Sequence, residues 1–192
     1  MSYEPPRPVR GLLLTPEDKE APARVHRLRR LGLVADRPDP ALDAFAGRLA
    51  QLTGARYAMV NFIGEDHQFF AGLSAPVLAP VVREDGSRAA IGRVLPRDHG
   101  FCPHVVVRHK ALVLEDVRDY PRFAGNPVVD AFGIRSYLGA PLIDGSGMAL
   151  GTVCAADTAP RAWGRTGLET IKAFAADLVV RLERGAEDGL PL

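Results

Sequence analysis

Two apolar segments joined by a glycine-rich link constrain the fold of this chain more than any other feature. They read IRSYLGAPLID and MALGTVCAAD, and Gly145-Ser146-Gly147 connects them. Both have the length and the apolar content of β-strands, and a short link that contains glycine is typical of a β-hairpin. The chain is therefore expected to contain an antiparallel sheet built around this hairpin.

Other segments predict further strands and flanking helices. YAMVNFIGEDHQFFAGL predicts two strands around a turn at Gly64–Asp66, and KALVLEDV predicts another buried strand. PDPALDAFAGRLAQLTG predicts a helix that Asp39 caps and Gly54 ends. RTGLETIKAFAADLVVRLERG predicts a final helix with a capping box at Thr166–Glu169. Strands bracketed by helices indicate an α+β fold with helices packed on an antiparallel sheet.

Proline and glycine mark two less regular segments. TPEDKEAPARVHRLRRLGL predicts a helix that is interrupted at Pro22. The stretch Ser74–Arg97 contains Pro76, Pro80, Gly86 and Gly92. A loop of this length is expected to be functional or mobile, and it could form a lid.

Composition and charge exclude several classes of partner. The 24 lysines and arginines balance 23 acidic residues, so a formal charge of +1 gives no strong attraction to nucleic acid or to a membrane surface. With 192 residues, one domain is expected over 24–183, between an N-terminal arm (1–23) and a C-terminal tail (184–192). Two cysteines and no signal-like N-terminus favour a soluble protein of the reducing cytoplasm.

The segment RDHGFCPHVVVRHK holds three of the five histidines and one of the two cysteines of the chain. It contains His99, Cys102, His104 and His109, and zinc binds histidine nitrogen and cysteine sulfur. The usual Cys-x-x-Cys and His-x-x-x-His pairs are missing, which argues against a zinc site. A metal or haem sensor that uses His99, His104 or His109 is one alternative function.

A second alternative is thiol chemistry at Cys102. His104 follows it closely, but no third orienting group or oxyanion hole is evident, and Cys154 lies within an apolar strand. A redox sensor, or an enzyme that resembles methionine sulfoxide reductase, would use Cys102 with Cys154 as the resolving thiol. It predicts that the two sulfurs can approach and that Cys102 is partly exposed.

Three blocks in a fixed order resemble the GAF domain family of small-molecule sensors and dimerisation modules. They are QFFAGL followed by PRDHGFC, then LEDVRDYPRFAGNPVV, and then IRSYLGAPLIDGSGMALGTVCAADTAPR. The resemblance implies a central antiparallel sheet of five to six strands with N- and C-terminal helices on one face. It also implies a pocket on the other face, covered by short helices and loops at Gly100–Val107 and Asp119–Phe132. Cys102 would then be a packing position.

The departures from known members limit the function that the resemblance implies. The Asn-Lys-x-Phe-Asp-Glu signature of cyclic-nucleotide binders is absent. Bilin binders have adjacent cysteine and histidine, whereas here Pro103 separates Cys102 from His104. Sulfoxide reductases of free methionine rely on three cysteines, and this chain has two. We therefore expect a non-enzymatic sensory module, with a cofactor or ligand that the sequence leaves unidentified.

The expected partners and pocket follow from the same resemblance. The module would bind a small organic molecule, contact a signalling partner, and form a homodimer through its terminal helices. Strand alternation assigns nine pocket residues. They are Phe62, Phe70, Phe101, Cys102, Val105, Phe123, Ile134, Tyr137 and Thr152.

Overall fold

The protein is represented by a computed structural model, which describes residues 15–33, 37–76, 81–82, 88–89 and 92–188. The helices and strands within these residues are α1 (Ala21–Arg30), α2 (Pro40–Thr53), β1 (Tyr57–Ile63), β2 (His67–Ser74), β3 (Val81–Val82), β4 (Arg88–Ala89), β5 (Val94–Pro96), α3 (Cys102–Arg108), β6 (Leu112–Leu114), a 3-10 turn (Val117–Asp119), α4 (Pro121–Ala124), α5 (Pro127–Phe132), β7 (Ser136–Ile143), β8 (Ala149–Asp157) and α6 (Gly164–Asp188).

The main sheet has six antiparallel strands in the order β5-β2-β1-β8-β7-β6. The predicted hairpin is β7–β8, which pairs Ser136 with Asp157 at its open end. In its turn, Asp144 accepts hydrogen bonds from two backbone N–H groups, and Gly147 adopts a φ of +85° that favours glycine. The predicted α+β fold with an antiparallel sheet is confirmed.

Helices cover both faces of the sheet, and they do so differently. The long helices α2 and α6, with α1, pack on one face, where the rings of Phe45 and Phe174 meet edge-on at 5.3 Å between centroids. The short helices α3, α4 and α5 cover the other face with a second apolar cluster. This is the predicted arrangement of terminal helices opposite a pocket cover. No helix within the described residues is long and apolar enough to span a bilayer.

Close contact between α2 and β2 depends on one glycine. A Cβ atom on Gly72 would lie 2.4 Å from the carbonyl oxygen of Leu42, which is closer than the sum of the van der Waals radii of carbon and oxygen. Any larger residue would push α2 away from the sheet. Gly72 thus fixes the distance between the sheet and the helix that covers it.

Two predicted helix starts are wrong. α1 begins at Ala21 with Pro22 in its first turn, because the ring of proline suits the first helical position, where no N–H partner is needed. The expected boundary between arm and domain at residue 24 falls within this helix. α6 begins at Gly164 and not at a capping box, and its Glu169 pairs with Arg165 at 2.7 Å.

The excursion between β2 and α3 is partly regular. β3 and β4 form a small antiparallel ladder of their own, and β5 joins the edge of the main sheet beside β2. Residues 77–80, 83–87 and 90–91 lie outside the described residues. The lid expected in Ser74–Arg97 stays a prediction.

Candidate functional site

A small cavity lies between the sheet and its cover of short helices. Its volume is about 50 Å³, which is less than the roughly 150 Å³ of a cavity that holds benzene and far less than the roughly 300–1,000 Å³ of most ligand pockets. In this conformation it has room for only a few atoms. Its walls are formed by Tyr57, Met59, Gln68, Phe70, Leu95, Gly100, Phe101, Cys102, Val128, Phe132, Ile134, Tyr137 and Ala156.

The cavity wall is apolar and uncharged. Among the described residues that line it, none has a charged side chain. The amide of Gln68 is already engaged, because its Nε2 donates to the carbonyl oxygens of Pro96 at 3.0 Å and His99 at 2.5 Å. Its Oε1 accepts from Asn61 Nδ2 at 2.7 Å. Gln68 therefore holds the loop between β5 and α3 in place and offers little to a ligand.

Asn126 fastens the cover of the cavity. Its side chain accepts a hydrogen bond from the backbone N–H of Gly100 and donates one to the carbonyl of the same residue, both at 2.8 Å. It also caps α5 through the N–H of Val128 at 3.2 Å. Because Asn126 is only 3% exposed, these bonds tie the start of the α3 segment to α5 in a dry environment.

The two cysteines meet at the inner side of the cavity. Cys102, from α3, places its Sγ 3.7 Å from the Sγ of Cys154 on the central strand β8. The Tyr137 hydroxyl lies 3.3 Å from the Cys102 sulfur. Both thiols are free and buried, at 5% and 0% exposure respectively. The two sulfurs are close together, as predicted. Cys102, in contrast, is not partly exposed to bulk solvent, and it borders empty space only where it lines the cavity.

The surroundings shift the pKa values of the two thiols in opposite directions. The hydrogen bond from Cys154 lowers the pKa of Cys102, and the nearby polar groups of Thr152, Tyr137 and Asn61 reinforce this effect against the opposing effect of burial. The same hydrogen bond, with burial, raises the pKa of Cys154. Burial also raises the pKa of Tyr137. Of the two thiols, Cys102 is therefore the one that ionises first.

The three histidines considered as metal ligands have separate partners. His99 contacts Asp98 and His109 contacts Glu20, each at 2.9 Å. His104 is buried in α3 with its ring edge-on to Phe123 at 5.0 Å between centroids. Within the part of the chain that the structure describes, no group of three or more potential ligands is arranged to hold a metal ion.

Most predicted pocket residues gather on the cavity side of the sheet. Five of them line the cavity itself: Phe70, Phe101, Cys102, Ile134 and Tyr137. Val105 and Phe123 belong to the apolar cluster behind it, and Thr152 lies beside the Cys102 sulfur. Whether any of them contacts a ligand stays a prediction.

Phe62 is on the opposite face of the sheet. It packs with Ala58 and Val60 in the cluster under α2 and α6, whereas Tyr57 and Met59 face the cavity. The expected pocket position of Phe62 is therefore corrected. Every residue of β1 is buried. The sequence of β1 therefore lacks the alternation of apolar and polar residues that would show which side chains face the cavity.

Sequence reasoning missed the residues that organise the cavity. Asn61, Gln68 and Asn126 are polar and buried at 3% exposure or less. Their presence in otherwise apolar or turn-forming segments was the available signal, since buried amides need specific hydrogen-bond partners. Of the other wall residues, Gly100, Val128 and Phe132 lie in the two segments predicted to cover the pocket, whereas Tyr57, Met59, Leu95 and Ala156 were not predicted.

Comparison with protein families agrees with this architecture. The model for the GAF domain matches residues 37–182, a span that includes the whole main sheet and the cover of the cavity. The chain therefore belongs to the GAF domain family, whose fold serves sensory and regulatory roles.

Individual relatives are distant. A cyclic di-GMP phosphodiesterase of Pseudomonas aeruginosa is 27% identical over 150 residues, which cover 76% of this chain but only 22% of that protein. The structure of free methionine-R-sulfoxide reductase from Neisseria meningitidis with its substrate is 16% identical, with a TM-score of 0.60 over 91% of this chain and 96% of that one. The GAF domain of an Acinetobacter phosphoenolpyruvate-protein phosphotransferase is 12% identical, with a TM-score of 0.57 over 90% and 99%. These two structural likenesses show the fold alone.

Proposed function

We propose that this chain is a non-enzymatic sensory module whose cavity takes up a small, uncharged, mainly apolar molecule. The observation that carries the proposal is the cavity wall, which is built from aromatic and aliphatic side chains and, among the described residues, has no charged group. Burying a charged ligand there would be costly because nothing would compensate its lost hydration. An apolar molecule has no such cost.

Binding would require the cover to move. A cavity of about 50 Å³ is too small for an organic molecule of even benzene size, so α3 and α5 must shift away from the sheet to admit one. A ligand that binds only the open arrangement moves the equilibrium towards it. Ligand binding would thereby change the position of the cover. A signalling partner that binds the open and closed arrangements with different affinity would respond to that change.

The distant phosphodiesterase supports a regulatory role beside another protein. Its similarity to this chain covers 22% of its length, which fits a module that accompanies a separate activity. We assign no cyclic di-GMP chemistry to this chain, because the uncharged cavity offers no partner for phosphate. The same argument disfavours reduction of free methionine sulfoxide, whose ammonium and carboxylate would need charged partners.

Native mass spectrometry of gently purified protein, before and after denaturation, tests the proposal directly. A retained small organic mass would support it and identify the ligand class. Indole then serves as a defined apolar probe, and its binding is expected to raise the melting temperature of the wild-type protein.

Ala156→Leu is the matched test of where indole binds. Ala156 lines the cavity and is 4% exposed, so the larger side chain should fill the space and abolish the shift in melting temperature. Ala162→Leu makes the same change at an exposed position and should leave the shift intact. An equal response in both variants would mean that indole binds elsewhere and would remove the cavity from the proposal.

A further inference from the structure

The buried thiol pair offers chemistry that the ligand binding proposed above does not use. Cys102 and Cys154 are both free, and their sulfurs are in contact at 3.7 Å without being bonded. A disulfide requires about 2.05 Å between sulfurs, so the remaining gap is under about 2 Å. The two side chains come from separate elements, the cover helix α3 and the central strand β8. A bond between them would join the cover to the sheet.

Only one of the two sulfurs faces the cavity. Cys102 is part of the cavity wall, whereas Cys154 lies behind it and is fully buried. Leu95 and Gly100, which complete the wall, are themselves partly exposed. A small molecule that entered the cavity would therefore meet Cys102 first and find Cys154 directly behind it.

Unpartnered polar atoms stand beside the thiols. Asn61 and Thr152 are register partners on β1 and β8. Asn61 Oδ1 and Thr152 Oγ1 are buried and have no hydrogen-bond partner among the described residues. Buried polar atoms normally have partners, and an orphan often marks a place where a small polar molecule sits. Neither residue is part of the cavity wall, and both lie beside the Cys102 sulfur.

We propose that Cys102 and Cys154 form an oxidation site for a small uncharged peroxide such as hydrogen peroxide. The Cys102 thiolate attacks one peroxide oxygen and the O–O bond breaks, which leaves Cys102 as a sulfenic acid and releases water after proton uptake. The Cys154 sulfur then attacks the Cys102 sulfur, the S–O bond breaks, and a second water leaves. In total, two thiols and one hydrogen peroxide give one disulfide and two waters.

The cavity selects for this class of oxidant. Its volume of about 50 Å³ admits a molecule of two heavy atoms but excludes glutathione disulfide, which is far larger. The Tyr137 hydroxyl and the neighbouring polar groups favour the thiolate of Cys102, which is the reactive form of a cysteine. The hydrogen bond with Cys102, together with burial, raises the pKa of Cys154, and Cys154 therefore suits the resolving role.

The test is a titration of the full chain with hydrogen peroxide, followed by alkylation with N-ethylmaleimide after unfolding and by intact mass measurement. Wild-type protein should lose both alkylation sites together, gain no intermolecular species, and recover both sites on reduction with dithiothreitol. The reaction should be roughly tenfold faster than for the same chain kept unfolded in guanidinium chloride, because the folded protein holds more thiolate at neutral pH.

Single substitutions assign the two roles. Cys154→Ser should stop at a sulfenic acid on Cys102, which dimedone traps, and Cys102→Ser should leave the Cys154 thiol reduced. Thr152→Val keeps the shape of the side chain and should slow oxidation of Cys102 by roughly fivefold, because it removes a hydroxyl beside the sulfur that favours the thiolate. Thr152→Ser, which keeps the hydroxyl, is its control.

Several results would overturn the site. Folded protein that keeps both thiols, or that oxidises more slowly than the unfolded chain, would show that the fold protects the pair. Oxidation of Cys154 in Cys102→Ser at the wild-type rate would reverse the assignment of roles. None of these outcomes depends on indole binding, so this site and the proposed sensory function can fail separately.

Discussion

At the scale of single residues, His104 should make stability depend on pH. Burial lowers the pKa of this histidine from 6.5 to about 4, and the charges of Arg122 and Arg108 act in the same direction. Between those values the unfolded chain binds a proton that the folded chain refuses. Stability is therefore complete above pH 6.5 and falls as the pH drops towards 4, by roughly 2–3 kcal/mol. Urea unfolding measured across this interval checks the slope.

His104→Phe is the informative substitution for that slope. The buried Nδ1 of His104 has no hydrogen-bond partner among the described residues, and the ring packs on Phe123, so phenylalanine keeps the packing and removes the titration. The slope should flatten in this variant. His26→Gln removes an exposed histidine of α1 and should change nothing. A slope that survives in His104→Phe would assign it to another group.

Buried polar residues fix the positions of the segments that pack on the cavity side of the sheet. Asn61, Gln68 and Asn126 each bond to backbone or to one another across different segments. Because an unpaired buried amide is costly, these bonds specify one position for the β5–α3 loop and for α5. The apolar cluster alone would tolerate several arrangements.

At the scale of elements, the packing of α2 on the sheet can be tested with two glycines. Gly72→Ala should destabilise the protein by about 1–3 kcal/mol, because the new Cβ would lie 2.4 Å from Leu42 oxygen and α2 must move. Gly47→Ala, in the interior of α2, meets no atom within 4 Å and should stabilise by about 0.5–1 kcal/mol. Chemical denaturation of both variants measures the difference.

The pair of glycine variants separates packing from helix propensity. Both substitutions add the same methyl group, but only at Gly72 does this group collide with a neighbouring element, the helix α2. Equal effects of the same sign would contradict the close approach of α2 to β2. A large loss at Gly72 alone would confirm that approach.

The sequence predicted elements that local rules determine and missed relations that depend on distant contacts. The β7–β8 hairpin follows from its glycine link, and Asp39 accepts hydrogen bonds from the first backbone N–H groups of α2 as its sequence suggested. The face of Phe62 was not predictable, since every residue of β1 is buried and both of its faces carry large apolar side chains. The contact between Cys102 and Cys154 joins residues 52 positions apart, and only the packing of α3 on β8 creates it.

At the scale of the whole molecule, the predicted homodimer concerns the outer side of α6. A groove of about 600 Å³ lies between α6 and the end of β7, with Ile143, Lys172 and Val179 among its walls. Ile143 and Val180 are 38% and 44% exposed. Ile143 lies in the groove wall and Val180 follows the wall residue Val179 on α6, and exposed apolar residues that form a patch are typical of a contact surface. A second copy of the chain would cover them and would place the two α6 helices side by side.

Sedimentation of the wild-type protein and of Val180→Glu tests this contact. The wild type is expected to be a dimer, and Val180→Glu should be a monomer, because each interface would have to bury an unpaired carboxylate. Val94→Glu is the matched control, since Val94 is 57% exposed and lies on β5, at the opposite edge of the sheet from β6. A wild-type monomer, or a Val180→Glu dimer as tight as the wild type, would move the interface elsewhere. Dissociation by Val180→Glu alone would place the dimer contact on α6, which packs on the face of the sheet opposite the cavity, so any effect of a cavity ligand on dimerisation would have to pass through the sheet.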